Sequence, residues 1–167
     1  MELILSDTAS NLLQREADIA VRQIEPLQDT HISRRLPSLE LGLHAHRAYL
    51  DRRGAPGSPS ELAGHDLIGF DQFTPALRAL VGRFPVLDRA FALRVDSNLA
   101  QFVAIRAGFG IGLCQVALAR RDPDLVRVLT DDVAVELRLW VVMHEDLETS
   151  PRCRAVFDVL VDGLAAS

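Results

Sequence analysis

The sequence predicts an open α/β sheet, and three observations predict it. Apolar runs of strand length alternate with helical stretches along the whole chain. The chain has 167 residues, 49% of them hydrophobic and 25% charged, enough apolar material for one domain or two small lobes of one. Residues 95–114, VDSNLAQFVAIRAGFGIGLC, read as a capped helix, a glycine joint and a short buried strand.

The elements follow in order. Leu3, Ile4 and Leu5 form an apolar run that reads as a first buried strand. Ser6, Asp7 and Thr8 end it and can cap a helix with Ala9, Leu12 and Leu13 on one face. Asp18 opens a second apolar run, residues 19–21, so these two strands should be parallel with a right-handed crossover. Leu39, Leu41 and Leu43 alternate with Glu40, Gly42 and His44, the pattern of a half-buried strand. GAPGSPS at 54–60 is a loop. Within it Ser58 and Glu61 form a capping box, with Pro59 at the first helical position of a short helix ending at Gly64. Residues 67–70 are a strand, 74–81 a short helix and 90–95 a strand. Asp96 or Ser97 caps the next helix, whose Leu99, Phe102 and Val103 share one face. Gly108 stands where a helix C-terminus favours positive φ, and 111–114 is a buried strand. Residues 125–129 form a short strand and 135–144 a long one, alternating at first and then apolar. Ser150 and Pro151 start the last helix, with Cys153, Val156, Phe157, Leu160 and Leu164 on its inner face.

Several functions are disfavoured. Gly108, Gly110 and Gly112 resemble a dinucleotide fingerprint, but that motif needs strand, glycine turn and then helix, and here the helix comes first. The net charge is −5 and the 18 basic residues are all arginine; the pairs Arg34–Arg35, Arg52–Arg53 and Arg120–Arg121 read as solvated surface, not a DNA footprint. Cys114 and Cys153 read as small buried hydrophobes. His44 and His46 lie two apart on a strand and His144 on another, the only metal-ligand candidates; without a clearly placed carboxylate they imply no metal, and His31 and His65 read as loop residues. No GxSxG elbow or cysteine–histidine pairing suggests catalysis, and no cofactor is implied. Residues 1–5 are too short for a signal peptide or membrane span, so the expected location is cytoplasmic, with no membrane partner.

Three stretches carry a family resemblance. VDSNLAQFVAIRAGFGIGLCQVALA, READIAVR followed by RRLPSLELGLHAHRAYLDRRG, and LWVVMHEDLETSPRCRAVFDVLVDGL together span most of the chain. They resemble, in register, the effector-binding domain of LysR-type transcriptional regulators. The resemblance implies a two-lobed fold of the periplasmic-binding-protein type (type 2), with open sheets joined by two crossover strands. Lobe I would comprise residues 1–44 and 143–167, lobe II residues 45–142, with the hinge around 41–46 and 141–145. Family members precede these residues with a winged helix-turn-helix, a linker helix and one further strand and helix. The first lobe is therefore expected to be incomplete, and less stable or more association-prone than an N-terminally extended chain. The resemblance also implies a homodimer formed through the helix starting near Thr8, with DNA contacted only by the missing helix-turn-helix.

Ligands of open α/β sheets bind at the carboxyl ends of strands, near helix N-termini. That rule selects Ser6, Asp7 and Thr8; Arg22 and Gln23; Phe70, Asp71 and Gln72; and Ser97 and Asn98. The family's cleft between the lobes is lined from the same places. Helix N-termini near Thr8 and Ser97 offer N–H groups, and Arg22 can clamp a carboxylate, so the expected effector is a small organic anion. Plain capping by Asp7 and Ser97, and a structural salt bridge for Arg22, are the competing readings. The sensing domain of a regulator, not an enzyme, is thus the expected function. A solute-binding protein of the same fold, a small α/β enzyme and a non-functional gene remnant are the alternatives.

Overall fold

The computed structural model describes residues 2–4, 17–23, 31–71 and 91–165, together with Arg78 and Gly82. Its described strands are β1 (Ile19–Arg22), β2 (His31–His46), β3 (Leu67–Phe70), β4 (Phe91–Val95), β5 (Ile111–Gln115), β6 (Leu125–Val128) and β7 (Ala134–His144). The α-helices are α1 (Arg47–Arg53), α2 (Asn98–Arg106), α3 (Val116–Ala119) and α4 (Pro151–Ala165), and Pro59–Gly64 and Glu145–Leu147 are 3-10 turns. The chain divides into two compact units, Met1–Leu39 with Leu137–Ser167, and Glu40–Glu136. Both division points fall inside strands, one in β2 and one in β7.

In the first unit β7 lies between β1 and β2, and β1 pairs with it antiparallel, Ile19 opposite Met143 and Arg22 opposite Trp140. Residues 139–143 of β7 are buried on both faces, which is why they are apolar without alternation. One face, Leu139, Val141 and Met143, packs with Leu36 and Phe157. Leu160, Val161 and Leu164 of α4 complete that cluster, and Trp140 and Val142 pack on the other face with Ala17 and Ala20. The inner face expected for α4 is thus largely the observed one. The expected first strand is not. Leu3 and Ile4 lie outside any strand and are 78% and 65% exposed. Three apolar residues become a strand only where a neighbour offers backbone partners and a covering face, and among the described residues Leu3 and Ile4 have no strand partner; Leu5 lies outside the described residues. The expected helix after them and most of 74–81 lie outside the described residues.

The second unit holds the parallel core. β3 pairs parallel with β4 and with β5, while β5 and β6 both pair antiparallel with β2. Leu43 and His44 therefore have a partner strand on each side, and residues 41–45 are all buried. The alternating sequence suggested a half-exposed strand; flanking strands and covering elements bury both faces instead. The expected Ser58–Glu61 capping box does not form: Ser58 is the N-cap residue, but its side chain makes no cap bond to the backbone. Ser58 Oγ donates to Glu61 Oε1 at 3.0 Å, while Glu61 Oε2 takes the N–H of Gly57, not of Ser58, at 2.9 Å.

Helix α2 shows a second correction. Gln101 and Ile105 are its buried residues, and Phe102 of the expected face packs with Ile105 on the same core cluster, whereas Leu99 and Val103 are 58% and 54% exposed. Positions two apart lie on nearly opposite sides of a helix, so 99/103 and 101/105 cannot both face the sheet. Gly112 decides between them. A Cβ there would lie 3.0 Å from Ile105 Cδ1, so the bare backbone of β5 receives the isoleucine. After α2 the chain turns through Gly108 at φ +70°, the conformation expected of a C-terminal glycine. Gly110 then passes so close to β3 that a Cβ would stand 2.0 Å from the Asp66 carbonyl oxygen. That oxygen accepts the Ile111 N–H at 2.9 Å. The obstacle is backbone and cannot rotate aside. Gly110→Ala should therefore destabilise the protein by about 2–3 kcal/mol, the upper part of the range for overpacking, as read by urea unfolding. An unchanged midpoint would contradict this account of the joint.

Candidate functional site at the strand carboxyl ends

The parallel strands of the second unit fix one candidate edge. Phe70 stands opposite Val95 in register, and the Asp71 N–H donates to the Val95 carbonyl at 3.0 Å. The chain leaves β4 through exposed Asp96 and half-buried Ser97 and enters α2. Ser97 is the N-cap residue by position and its carbonyl accepts the Gln101 N–H at 3.0 Å. Its hydroxyl makes no capping bond to the helix. Phe70, Asp71, Ser97 and Asn98 are thus brought to one sheet edge beside a helix N-terminus with its partial positive charge. The exposed carboxylates of Asp71 and Asp96 oppose that charge.

Gln101 is a residue the sequence reading missed. It is 1% exposed, its Nε2 donates to the Leu113 carbonyl at 2.6 Å, and its Oε1 is buried without a partner among the described residues. The signal was present: a carboxamide one turn into α2, at a position the sheet covers.

In the first unit Arg22 ends β1, half-buried, with exposed Gln23 next. Partial burial lowers the Arg22 pKa, and the guanidinium remains charged at neutral pH. Ser6, Asp7, Thr8 and Gln72, and the expected dimer helix near Thr8, lie outside the described residues.

The LysR substrate binding domain family matches residues 2–165. The chain belongs to that family. In sequence the domain is 37% identical over 73 residues to the HTH-type transcriptional regulator CrgA of Neisseria meningitidis, serogroup C strain 8013 and serogroup B strain ATCC BAA-335 / MC58. The match covers 43% of this chain and 24% of CrgA, so it spans about a quarter of the length of these curated relatives. In structure the domain resembles the regulatory domain of N. meningitidis CrgA, a LysR-type transcriptional regulator, with a TM-score of 0.78 at 25% identity, over 95% of this chain and 81% of that one. The full-length Vibrio cholerae virulence activator AphB shares the fold, with a TM-score of 0.69 at 21% identity over 97% of this chain and 57% of that one. The two-lobed α/β architecture and the regulatory-domain family are therefore those the sequence implied. Among the described residues, no helix is long and apolar enough to cross a membrane.

The remaining polar groups of this LysR domain hold its framework. Among the described residues, no group of three or more His, Cys, Asp or Glu side chains could hold a metal ion. Two of the three histidine candidates accept backbone N–H bonds: His46 Nδ1 from Ala48 at 3.1 Å, and His144 Nδ1 from Asp146 at 3.2 Å. His44 is 2% exposed, with Nδ1 2.9 Å from the Gly42 carbonyl and 3.3 Å from Cys114 Sγ. A carbonyl oxygen at that distance requires the proton on Nδ1, so this nitrogen cannot act as a base toward the thiol. Burial pushes the Cys114 thiol up to about 12, and the pair is structural, not nucleophilic. The His31 side chain lies outside the description. Of the arginine pairs, Arg52 and Arg53 donate to the Gly108 and Gly64 carbonyls at 3.2 and 2.8 Å, and Arg34, Arg35, Arg120 and Arg121 are exposed.

His65 is not a plain loop residue either. The buried Tyr49 hydroxyl accepts the Asp66 N–H at 2.8 Å and makes a second hydrogen bond, with His65 Nδ1, at 3.2 Å. Burial, and next the nearby Arg53 charge, lower the His65 pKa below the usual 6.5; burial foremost lowers that of His44 as well. The unfolded chain therefore takes up protons before the folded one. Stability should be fully present above the usual 6.5 and fall as pH drops through the lowered folded-state values. Urea midpoints above and below that value check it, and a midpoint independent of pH would contradict it. Tyr49→Phe, which leaves the Asp66 N–H without its buried acceptor, should cost about 1–3 kcal/mol by the same assay.

Proposed function

We propose that this chain is the effector-sensing domain of a LysR-type transcriptional regulator and that its effector is a small organic anion. The observation that carries this reading is the family match along residues 2–165, joined to the structural likeness to the CrgA regulatory domain. The division at residues 39/40 and 136/137 is read as the family's lobe I and lobe II. Arg22 supports an anion, because a guanidinium recognises a carboxylate with two parallel hydrogen bonds. Ser97 and Asn98 stand at the start of α2, where backbone N–H groups and the helix dipole favour the same charge. Asp71 and Asp96 favour hydroxyl or amino donors on the part of the effector nearest them.

In the complete regulator a helix-turn-helix segment meets DNA in the cytoplasm, and the sensing domain dimerises. Effector binding changes transcription by stabilising one lobe or dimer geometry over another, which demands that the effector bind one of them more tightly.

A thermal-shift screen with small mono- and dicarboxylates tests this reading. At least one acid should raise the melting temperature, and Arg22→Gln should weaken its binding about tenfold or more, the loss of one charge-assisted hydrogen-bond pair. Stabilisation by neutral compounds alone, or an unchanged affinity in the variant, would overturn the anion assignment. Sedimentation should show a dimer, and a monomer at high concentration would remove dimerisation from the proposal.

A further inference from the structure

β2 and β7 are the two strands that run through both compact units, and both end on histidine. His46 closes β2 at φ −70°, ψ 139°, and His144 closes β7 at φ −70°, ψ 142°. The rings do the same work. His46 Nδ1 accepts the Ala48 N–H at 3.1 Å and caps α1; His144 Nδ1 accepts the Asp146 N–H at 3.2 Å and caps the 145–147 turn. Histidine is not among the favoured N-cap residues. Finding it in one backbone geometry at the same point of both crossover strands marks a repeated device.

An imidazole nitrogen accepts a hydrogen bond only while it carries no proton. Once protonated, Nδ1–H meets the backbone N–H donor to donor and the cap is lost. We propose that His46 and His144 are a matched pair of pH-sensitive catches. They hold the exits of both crossover strands while the rings are neutral and release both on acidification.

The neighbouring charges give each ring an alternative. Asp146 Oδ2 lies 3.5 Å from His144 Nδ1, so a protonated ring exchanges the Asp146 backbone for its carboxylate, with Glu145 adding negative charge next to it. His46 interacts electrostatically with the Asp122 carboxylate, which also holds Arg106 Nε at 2.7 Å and the Asp124 N–H at 3.2 Å. Further charged neighbours are Arg47, whose guanidinium reaches the Pro123 carbonyl, and Arg52, which donates to the Gly108 carbonyl. His46 Cβ also lies against the Gly108 turn, so release of this ring is felt where α2 ends. One cap heads a helix of the second unit and the other a turn of the first, so a single change of pH acts on both.

The test compares the unaltered chain with a His46→Asn/His144→Asn double variant by NMR-detected hydrogen exchange, from about pH 7.5 to about pH 5. The Ala48 and Asp146 amides are followed, each corrected for the intrinsic pH dependence of exchange. Asparagine caps without titrating. His44 and His65 are present in both proteins, so their contributions cancel. The acid-induced loss of protection at both amides should be about fivefold larger in the unaltered chain than in the variant, the loss of one N-cap of typical strength. The same pH dependence in both proteins would overturn the proposal. Ring nitrogen shifts of the unaltered chain provide a reading that needs no mutation. At about pH 7.5 the Nδ1 of both rings must be the unprotonated nitrogen, and a proton there would also overturn it. Neither reading depends on what the domain binds.

Discussion

The carbonyl of Asp66 has no room beside it, and the second unit is organised around that fact. Gly110 lies against this oxygen, Ile111 donates to it, and the Asp66 N–H is held by the Tyr49 hydroxyl. One residue therefore ties α1 and the joint after α2 to the start of β3. The register of β5 against β3, Leu67 opposite Ile111, follows from where that joint is pinned. Ile105 over Gly112, and Gln101 against Leu113, then set how α2 lies on the sheet. The position of the α2 N-terminus at the carboxyl ends of β3 and β4 is a consequence of packing some distance from it.

The same chain of contacts explains why the candidate edge can be chemically open. The framework is secured by buried contacts and backbone bonds, and at this edge Asp71 and Ser97 take part through their backbone groups. Ser97 shows this directly, since its hydroxyl makes no cap although it occupies the cap position. Arg52 donates to the Gly108 carbonyl instead, adding a bond at the other end of α2 where positive charge is favoured. The polar groups that are committed to structure, His44, Tyr49 and His65, lie at strand pairings and junctions away from this edge.

Much of this was legible in the sequence because it depends on local rules. β3 and β5, the Gly108 turn and the α4 inner face follow from apolar runs, turn chemistry and helical spacing. The family could be read from three motifs in register. The misses have a common physical origin. The face of α2 was partly misassigned because Leu99 and Val103 are as apolar as Ile105, and only Gly112, in a different strand, selects among them. Burial of both faces of residues 41–45 depends on β5 and β6 flanking β2, which no short-range pattern encodes. Leu3 and Ile4 have strand composition without strand partners among the described residues. The histidines at the strand ends carried no assigned role in the sequence, and their role as caps appears only once backbone N–H groups are placed two residues on. Within the candidate site, Arg22, Gln23, Phe70, Asp71, Ser97 and Asn98 follow from the general rule about strand carboxyl ends. Gln101 does not, because its importance lies in an unpaired buried oxygen.

We propose that this LysR domain takes its effector at the strand carboxyl ends. Amide chemical-shift mapping with a carboxylate that stabilises the domain tests it most directly. The account predicts that the largest changes fall at Arg22 and Gln23, at Phe70 and Asp71, and at Ser97 and Asn98 through the first turn of α2. Changes confined to residues away from those strand ends, such as the outer face of α4, would contradict it.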